Sequence, residues 1–156
     1  MASANSSKIY QINSLEELSQ LAFELKGSLK LPALLLLNGQ LGAGKTAFTK
    51  KIASHFAFTE NQIKSPSYSL INIYKNDQIQ LNHLDFYRLN GHDQFLLNEL
   101  EEMASLPNAL TIIEWPERLD LKPLFAQVEQ VLQINLSLKN QDENTFRLIE
   151  IHDKSN

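Results

Sequence analysis

The sequence predicts an α/β fold: a central, mostly parallel sheet flanked by helices, with antiparallel hairpins. Three observations predict it. First, "PALLLLN" (32–38) and "ALTIIEW" (109–115) are short continuous apolar runs without alternation, the pattern of strands buried on both faces. Second, a glycine-rich turn follows the first run directly and opens a segment with helical spacing. Third, two pairs of alternating segments are separated by polar turns, which is how hairpins read.

Taken in order, residues 1–8 are small and polar without periodicity and are expected to form a disordered tail. Residues 9–152 are expected to form one domain. "NSLEELSQLAFEL" reads as a helix: Ser14 and Glu17 form a capping box. Leu15, Leu18, Leu21, Ala22 and Leu25 share one face, and Gly27 ends the helix. After the strand at 32–38, "KTAFTKKIASHF" (45–56) is a helix with Phe48, Ile52 and Phe56 inward. "SYSLINIY" (67–74) and "QIQLNHLDFY" (78–87) alternate around Lys75, Asn76 and Asp77, giving a hairpin. "DQFLLNELEEMAS" (93–105) is a helix with an acidic outer face, and the strand at 109–115 follows. "VLQINLSL" and "TFRLIEIH" close the chain as a hairpin around "KNQDEN". No repeat or linker divides the sequence.

The formal net charge is -4, which argues against direct nucleic-acid binding, since phosphate contacts need clustered Lys and Arg. With no cysteine, disulfides and thiol chemistry are excluded. The opening "MASANSSKIY" lacks the apolar core of a signal peptide, and the longest apolar run falls far short of the roughly 20 residues that span a bilayer. A cytoplasmic protein without a membrane partner is expected.

Gly39-Gln40-Leu41-Gly42-Ala43-Gly44-Lys45-Thr46 matches G-x-x-x-x-G-K-[ST] completely, so the fold class sharpens to P-loop NTPase-like. Glycines let successive backbone N–H groups turn towards phosphate oxygens, and the helix that follows aims its positive end at the same anion. Lys45 is expected at the β- and γ-phosphates and the Thr46 hydroxyl on Mg²⁺. The nucleotide contacts run on to Ala47. A bare glycine turn is the competing reading. A chance match arises in roughly one chain in 200 of this length from average residue usage, and the strand before and helix after disfavour it further. The Asn-Lys-x-Asp motif that reads guanine is absent from the sequence, which favours ATP or ADP as the ligand.

Mg²⁺ on a phosphate loop takes a carboxylate at the end of a neighbouring strand. Glu114 ends "LTIIE" and is expected at the metal; Asp85 ends "IQLNHLD" and is expected in the site, in the metal's outer shell or as the base that orients water. His83 lies two residues before Asp85, on the same face of the strand. It can order the Asp85 carboxylate, or be a hydrogen-bonded core histidine. "KSPSYSL" (64–70) offers Ser65 and Ser67 as hydroxyls that sense the γ-phosphate. Trp115 can cover the nucleotide, pack a partner or belong to the core. No other metal is expected.

"NGQLGAGKTAFTK", "KSPSYSLINIY", "HLDFYRL" and "IIEWPERL" stand in the order and rough spacing of the TsaE (YjeE) family, and the chain resembles that family from about residue 10 to 150. The resemblance implies a bacterial Mg²⁺-dependent ATPase that works with TsaB and TsaD. Together these place threonylcarbamoyl on the adenosine beside the anticodon of tRNAs reading codons that start with A. It implies that TsaD performs the transfer, that ATP hydrolysis by this chain resets the complex, and that tRNA is reached indirectly, through the complex. Carried over residue by residue, Gly42, Gly44, Lys45 and Thr46 form the phosphate loop, and Glu114 is the second metal-linked residue. Asp85 is the acid needed for hydrolysis, Ser67 stands where the family commonly has Thr, and Trp115 is the tryptophan of E-W-P. Gln40 departs from the family's usual Asp. In the family the closing hairpin can contribute a basic residue near the nucleotide; the turn here, "KNQDEN", offers no clear equivalent, and Arg147 is only a weak candidate for it.

Two rivals remain at the level of sequence. A small-molecule kinase would use an arginine-rich lid, whereas Arg88, Arg118 and Arg147 are widely spread. A nucleotide-sensing module without turnover would keep the same loop.

Overall fold

The computed structural model describes residues 7–155. One seven-stranded sheet carries them, in the order β1-β7-β6-β2-β5-β4-β3. The strands are β1 (Ser7–Ile12), β2 (Ala33–Asn38), β3 (Ile71–Lys75), β4 (Gln80–Asp85), β5 (Ala109–Glu114), β6 (Gln130–Gln141) and β7 (Asn144–Asp153). The helices are α1 (Leu15–Ser28), α2 (Lys45–Ser54), α3 (Gln94–Ala104) and α4 (Lys122–Phe125), with a single 3₁₀ turn at Pro116–Arg118.

The apolar runs decide the centre. β2 pairs in parallel with both β5 and β6, and β4 pairs in parallel with β5. Alternate residues of β2 feed two cores: Ala33, Leu35 and Leu37 face α1 and α2, while Leu34 and Leu36 face α3 and α4. A continuous Leu run is therefore required, because neither face of the strand meets water. Antiparallel pairing is confined to the flanks, β3–β4 on one side and β1–β7–β6 on the other.

Two helices begin on side-chain caps. The Ser14 side chain accepts from the Glu17 backbone N–H, while Glu17 reaches back to the N–H of Asn13, two otherwise orphaned donors satisfied together. Asp93 caps α3 through the Leu96 N–H. Phe48, Ile52 and Phe56 are buried as expected, although α2 ends at Ser54, before Phe56.

Several expectations are corrected. Ser7 and Lys8, assigned to the tail, begin β1, where Lys8 pairs with Ile151; edge pairing to β7 supplies the order that local composition does not encode. The rest of the expected tail, residues 1–6, lies outside the described residues. Helix α1 runs through Gly27 to Ser28 before the backbone turns extended at Leu29. Leu15, expected inward, is 56% exposed, because it sits at the first helical position, beyond the reach of the neighbouring layer. The strand expected at 67–74 begins only at Ile71: Leu70 takes a positive φ of 68° and its N–H bonds back to the Pro66 carbonyl, closing a turn. In the closing hairpin the strands extend to Gln141 and Asn144, which shortens the turn to Asp142 and Glu143.

Candidate nucleotide site

Parallel pairing brings the carboxyl ends of β2, β4 and β5 to one edge of the sheet, where Leu37 and Asp85 both stand in register with Glu114. In an open α/β sheet this edge is where ligands bind. The loop leaving β2 wraps over it and enters α2 at Lys45. Gly44 has φ +102°, a conformation closed to ordinary side chains. Gly39 lies so close to β6 that a Cβ there would stand 2.6 Å from the Leu136 carbonyl oxygen.

A cavity of about 240 Å³ opens beneath the loop, lined by Leu41, Gly42, Gly44, Lys45, Thr46, Ala47, Ser65, Ser67, Asp85, Tyr87, Glu114 and Trp115. Thus most of the expected residues meet in one place. Gly39, Gln40 and Ala43 do not line it; they shape the loop instead. Gly39 packs on β6, the Gln40 carbonyl accepts the Ala43 N–H, and the Ala43 carbonyl accepts from Arg147 Nε at 3.1 Å. Larger cavities of about 290 and 360 Å³ lie beside α1 and β1 and contain none of the motif residues.

Inside the site, Lys45 Nζ donates to the carbonyls of Gly39 and Gln40 and stands 4.3 Å from the centroid of the Trp115 ring. Burial pushes the Lys45 ammonium below its usual 10.5, while Glu114, Asp85 and Glu117 pull it back up. Thr46 Oγ1 donates to Glu114 Oε1 at 2.9 Å. Asp85 is held at both oxygens, by the Tyr87 N–H at 2.9 Å and by Ser67 Oγ at 3.2 Å. Ser65 and Ser67 share a hydrogen bond of 2.6 Å.

His83 turns away from the alternative that would have had it order Asp85. Its Nε2 stands 2.8 Å from Glu114 Oε1, because the adjacent parallel strand, rather than its own, presents the nearest carboxylate. Trp115 takes left-handed backbone (φ 58°) and leads into the 3₁₀ turn; the sharp bend lays its ring between Lys45 and Tyr87, whose ring centroid is 5.1 Å away. Tyr87 was missed by sequence reasoning as a site residue, although "DFYRL" placed it two positions after Asp85. Arg147 was named, but only the parallel pairing of β6 with β2 carries its hairpin to the loop.

The family model described as "Threonylcarbamoyl adenosine biosynthesis protein TsaE" matches residues 12–149. The chain belongs to the TsaE family. Among TsaE relatives, each named tRNA threonylcarbamoyladenosine biosynthesis protein, that of Rickettsia prowazekii is 33% identical, with 92% of this chain and 94% of that protein covered. The TsaE of Rickettsia felis is 34% identical over 88% of this chain and 77% of its own length. That of Synechocystis is 36% identical over 64% of each. A crystal structure of YdiB from Bacillus superposes with a TM-score of 0.66 at 25% identity, covering 97% of this chain and 88% of that one. The phosphate loop, Asp85 at the end of β4, and Glu114 and Trp115 at the end of β5 converge here on one cavity. No helix among the described residues is long and apolar enough to cross a membrane.

Proposed function

We propose that this chain is the ATP-binding and ATP-hydrolysing member of tRNA threonylcarbamoyladenosine synthesis, acting in the cytoplasm with TsaB and TsaD. The observation that carries the reading is the meeting of Lys45, Thr46, Ser67, Asp85 and Glu114 around one cavity at the carboxyl edge of a parallel sheet. A phosphate loop alone would support binding; the two carboxylates and the two hydroxyls add the means to turn the nucleotide over.

The donor set fits Mg²⁺. Thr46 and Glu114 supply hard oxygens, the ligand type this ion takes, and a 2.9 Å hydrogen bond from Thr46 Oγ1 to Glu114 Oε1 holds the two side chains together. Thr46 would hold it directly and Glu114 directly or through water. When bound, the ion neutralises charge on the β- and γ-phosphate oxygens. The loop N–H groups and the start of α2 bind the phosphates, and Lys45 adds a fixed positive charge. Asp85 orients the attacking water and accepts its proton as the water oxygen bonds to the γ-phosphorus and the bond to the β-phosphate oxygen breaks. Ser67, already on the Asp85 carboxylate, couples that group to the loop at 64–70, so the presence of a γ-phosphate is felt outside the site. Trp115 screens the phosphates from water. The tRNA is held by the partners, in keeping with the net charge of -4 on this chain.

The test is ATP hydrolysis by the purified chain, with and without TsaB, TsaD and tRNA, with Lys45→Ala as control. Turnover near background alone, raised by the partners and lost in Lys45→Ala, is expected. Bound but intact ATP that the partners leave unchanged would make the chain a nucleotide sensor.

A further inference from the structure

His83 is fully buried on β4, between Asn72 of β3 and Ile112 of β5 in the register of the sheet. It belongs to no part of the mechanism above, yet its Nε2 lies 2.8 Å from Glu114 Oε1. The same carboxylate oxygen accepts the Thr46 hydroxyl at 2.9 Å. One oxygen of Glu114 therefore takes two donors. The other, Oε2, receives none from the described residues. It is not sealed in either: the single buried side-chain nitrogen or oxygen without a partner among the described residues is His83 Nδ1.

Two consequences follow from the chemistry. A carboxylate only accepts, so Nε2 of His83 carries the hydrogen of that bond. Nδ1 is buried without a hydrogen-bond partner among the described residues, which is unfavourable in a protein interior. A side chain present for packing alone would not need either nitrogen. We infer that His83 is a positioning residue: it holds Glu114 Oε1 on the Thr46 side and so presents Oε2 to the cavity, where a divalent cation or its bound water is engaged. The arrangement is that of an outer partner orienting a metal-linked carboxylate. This rests on the reading of Glu114 as metal-linked.

The test compares His83→Leu, which removes the donor at similar bulk, with His83→Gln, whose amide nitrogen reaches towards the Nε2 position. His83→Asn, whose donor falls short of Glu114, and Glu114→Gln complete the set. Trp115, the only tryptophan in the chain, lines the cavity and reports ADP binding by fluorescence. ADP affinity is measured in EDTA and across a Mg²⁺ titration, with thermal melts as the folding control. The expected result is ADP binding in EDTA unchanged within about twofold, and a Mg²⁺ half-saturation raised roughly tenfold or more in His83→Leu, the usual effect of losing such an outer partner. His83→Gln should restore most of it. Should the Leu variant fail to fold, the Gln and Asn variants read the same contrast. Wild-type Mg²⁺ dependence in His83→Leu, or no advantage of Gln over Asn, overturns the positioning role while leaving Glu114 in place. Unchanged Mg²⁺ dependence in Glu114→Gln overturns the metal assignment, and the role of His83 with it.

Discussion

Arg147 on β7 donates from Nε to the carbonyl of Ala43 at 3.1 Å, tying the closing hairpin to the phosphate loop across 104 positions of sequence. The loop is therefore braced from outside as well as by its own glycines. The two constraints are linked, since a Cβ on Gly44 would stand 2.7 Å from that same Nε.

Removing the brace should loosen the loop without removing any phosphate ligand. Arg147→Ala is expected to weaken MgATP binding roughly tenfold, the scale of one hydrogen bond made by a charged donor. The melting temperature should fall by only a few degrees. Titration calorimetry beside a melt checks both; an affinity equal to that of the wild type would show that the loop holds its shape alone.

Gly39 and Gly27 make a matched pair. At Gly39 the added methyl meets the Leu136 carbonyl of β6 at 2.6 Å, and backbone cannot swing aside. Gly39→Ala should cost about 1–3 kcal/mol, the range for overpacking, and impair nucleotide binding. At Gly27 nothing lies within 4 Å and the residue is helical, so Gly27→Ala should gain about 0.4–1 kcal/mol through the unfolded chain. Urea unfolding distinguishes the signs.

Lys45 gives a pH dependence. Burial lowers its pKa from 10.5, opposed by Glu114, Asp85 and Glu117. The charge that binds phosphate is thus lost as pH rises through a value below 10.5. Nucleotide affinity should fall there by roughly 10- to 100-fold, the worth of a charged hydrogen bond. Folding responds in the opposite sense: across that window the unfolded chain holds more protons, so this group favours folding more as pH rises. Affinity measured from neutral to alkaline pH should drop before the protein unfolds, and Lys45→Ala should show no such step.

Ser67 bonds Asp85 through its hydroxyl, and a threonine carries the same hydroxyl. Ser67→Thr should keep partner-stimulated hydrolysis within about threefold, whereas Ser67→Ala should lower it by roughly 10-fold, a part of what a positioned proton-transfer group itself contributes. ADP affinity should barely change in either. Equal rates for the Ala and Thr variants would remove Ser67 from the hydrolytic step.

Local signals were enough for much of this molecule. The buried runs at 32–38 and 109–115, the capped helix from Leu15, the phosphate loop and the two hairpins are each written in a stretch short enough to be read directly, because periodicity, caps and glycine turns act within a few residues. The same short motifs named Lys45, Thr46, Asp85 and Glu114, whose chemistry is fixed by residue type. What needed the tertiary structure were relations between strands distant in sequence. The start of β1 at Ser7 exists because β7 pairs with it. His83 bonds Glu114 rather than Asp85 because β4 and β5 run parallel in one register. Tyr87 joins the site through the bend that lays Trp115 beside it, and Arg147 reaches the loop because β6 lies against β2. A sequence states which groups are available and which segments bury themselves; which carboxylate oxygen faces which donor is set by strand order and register, and those arise only when the whole core packs.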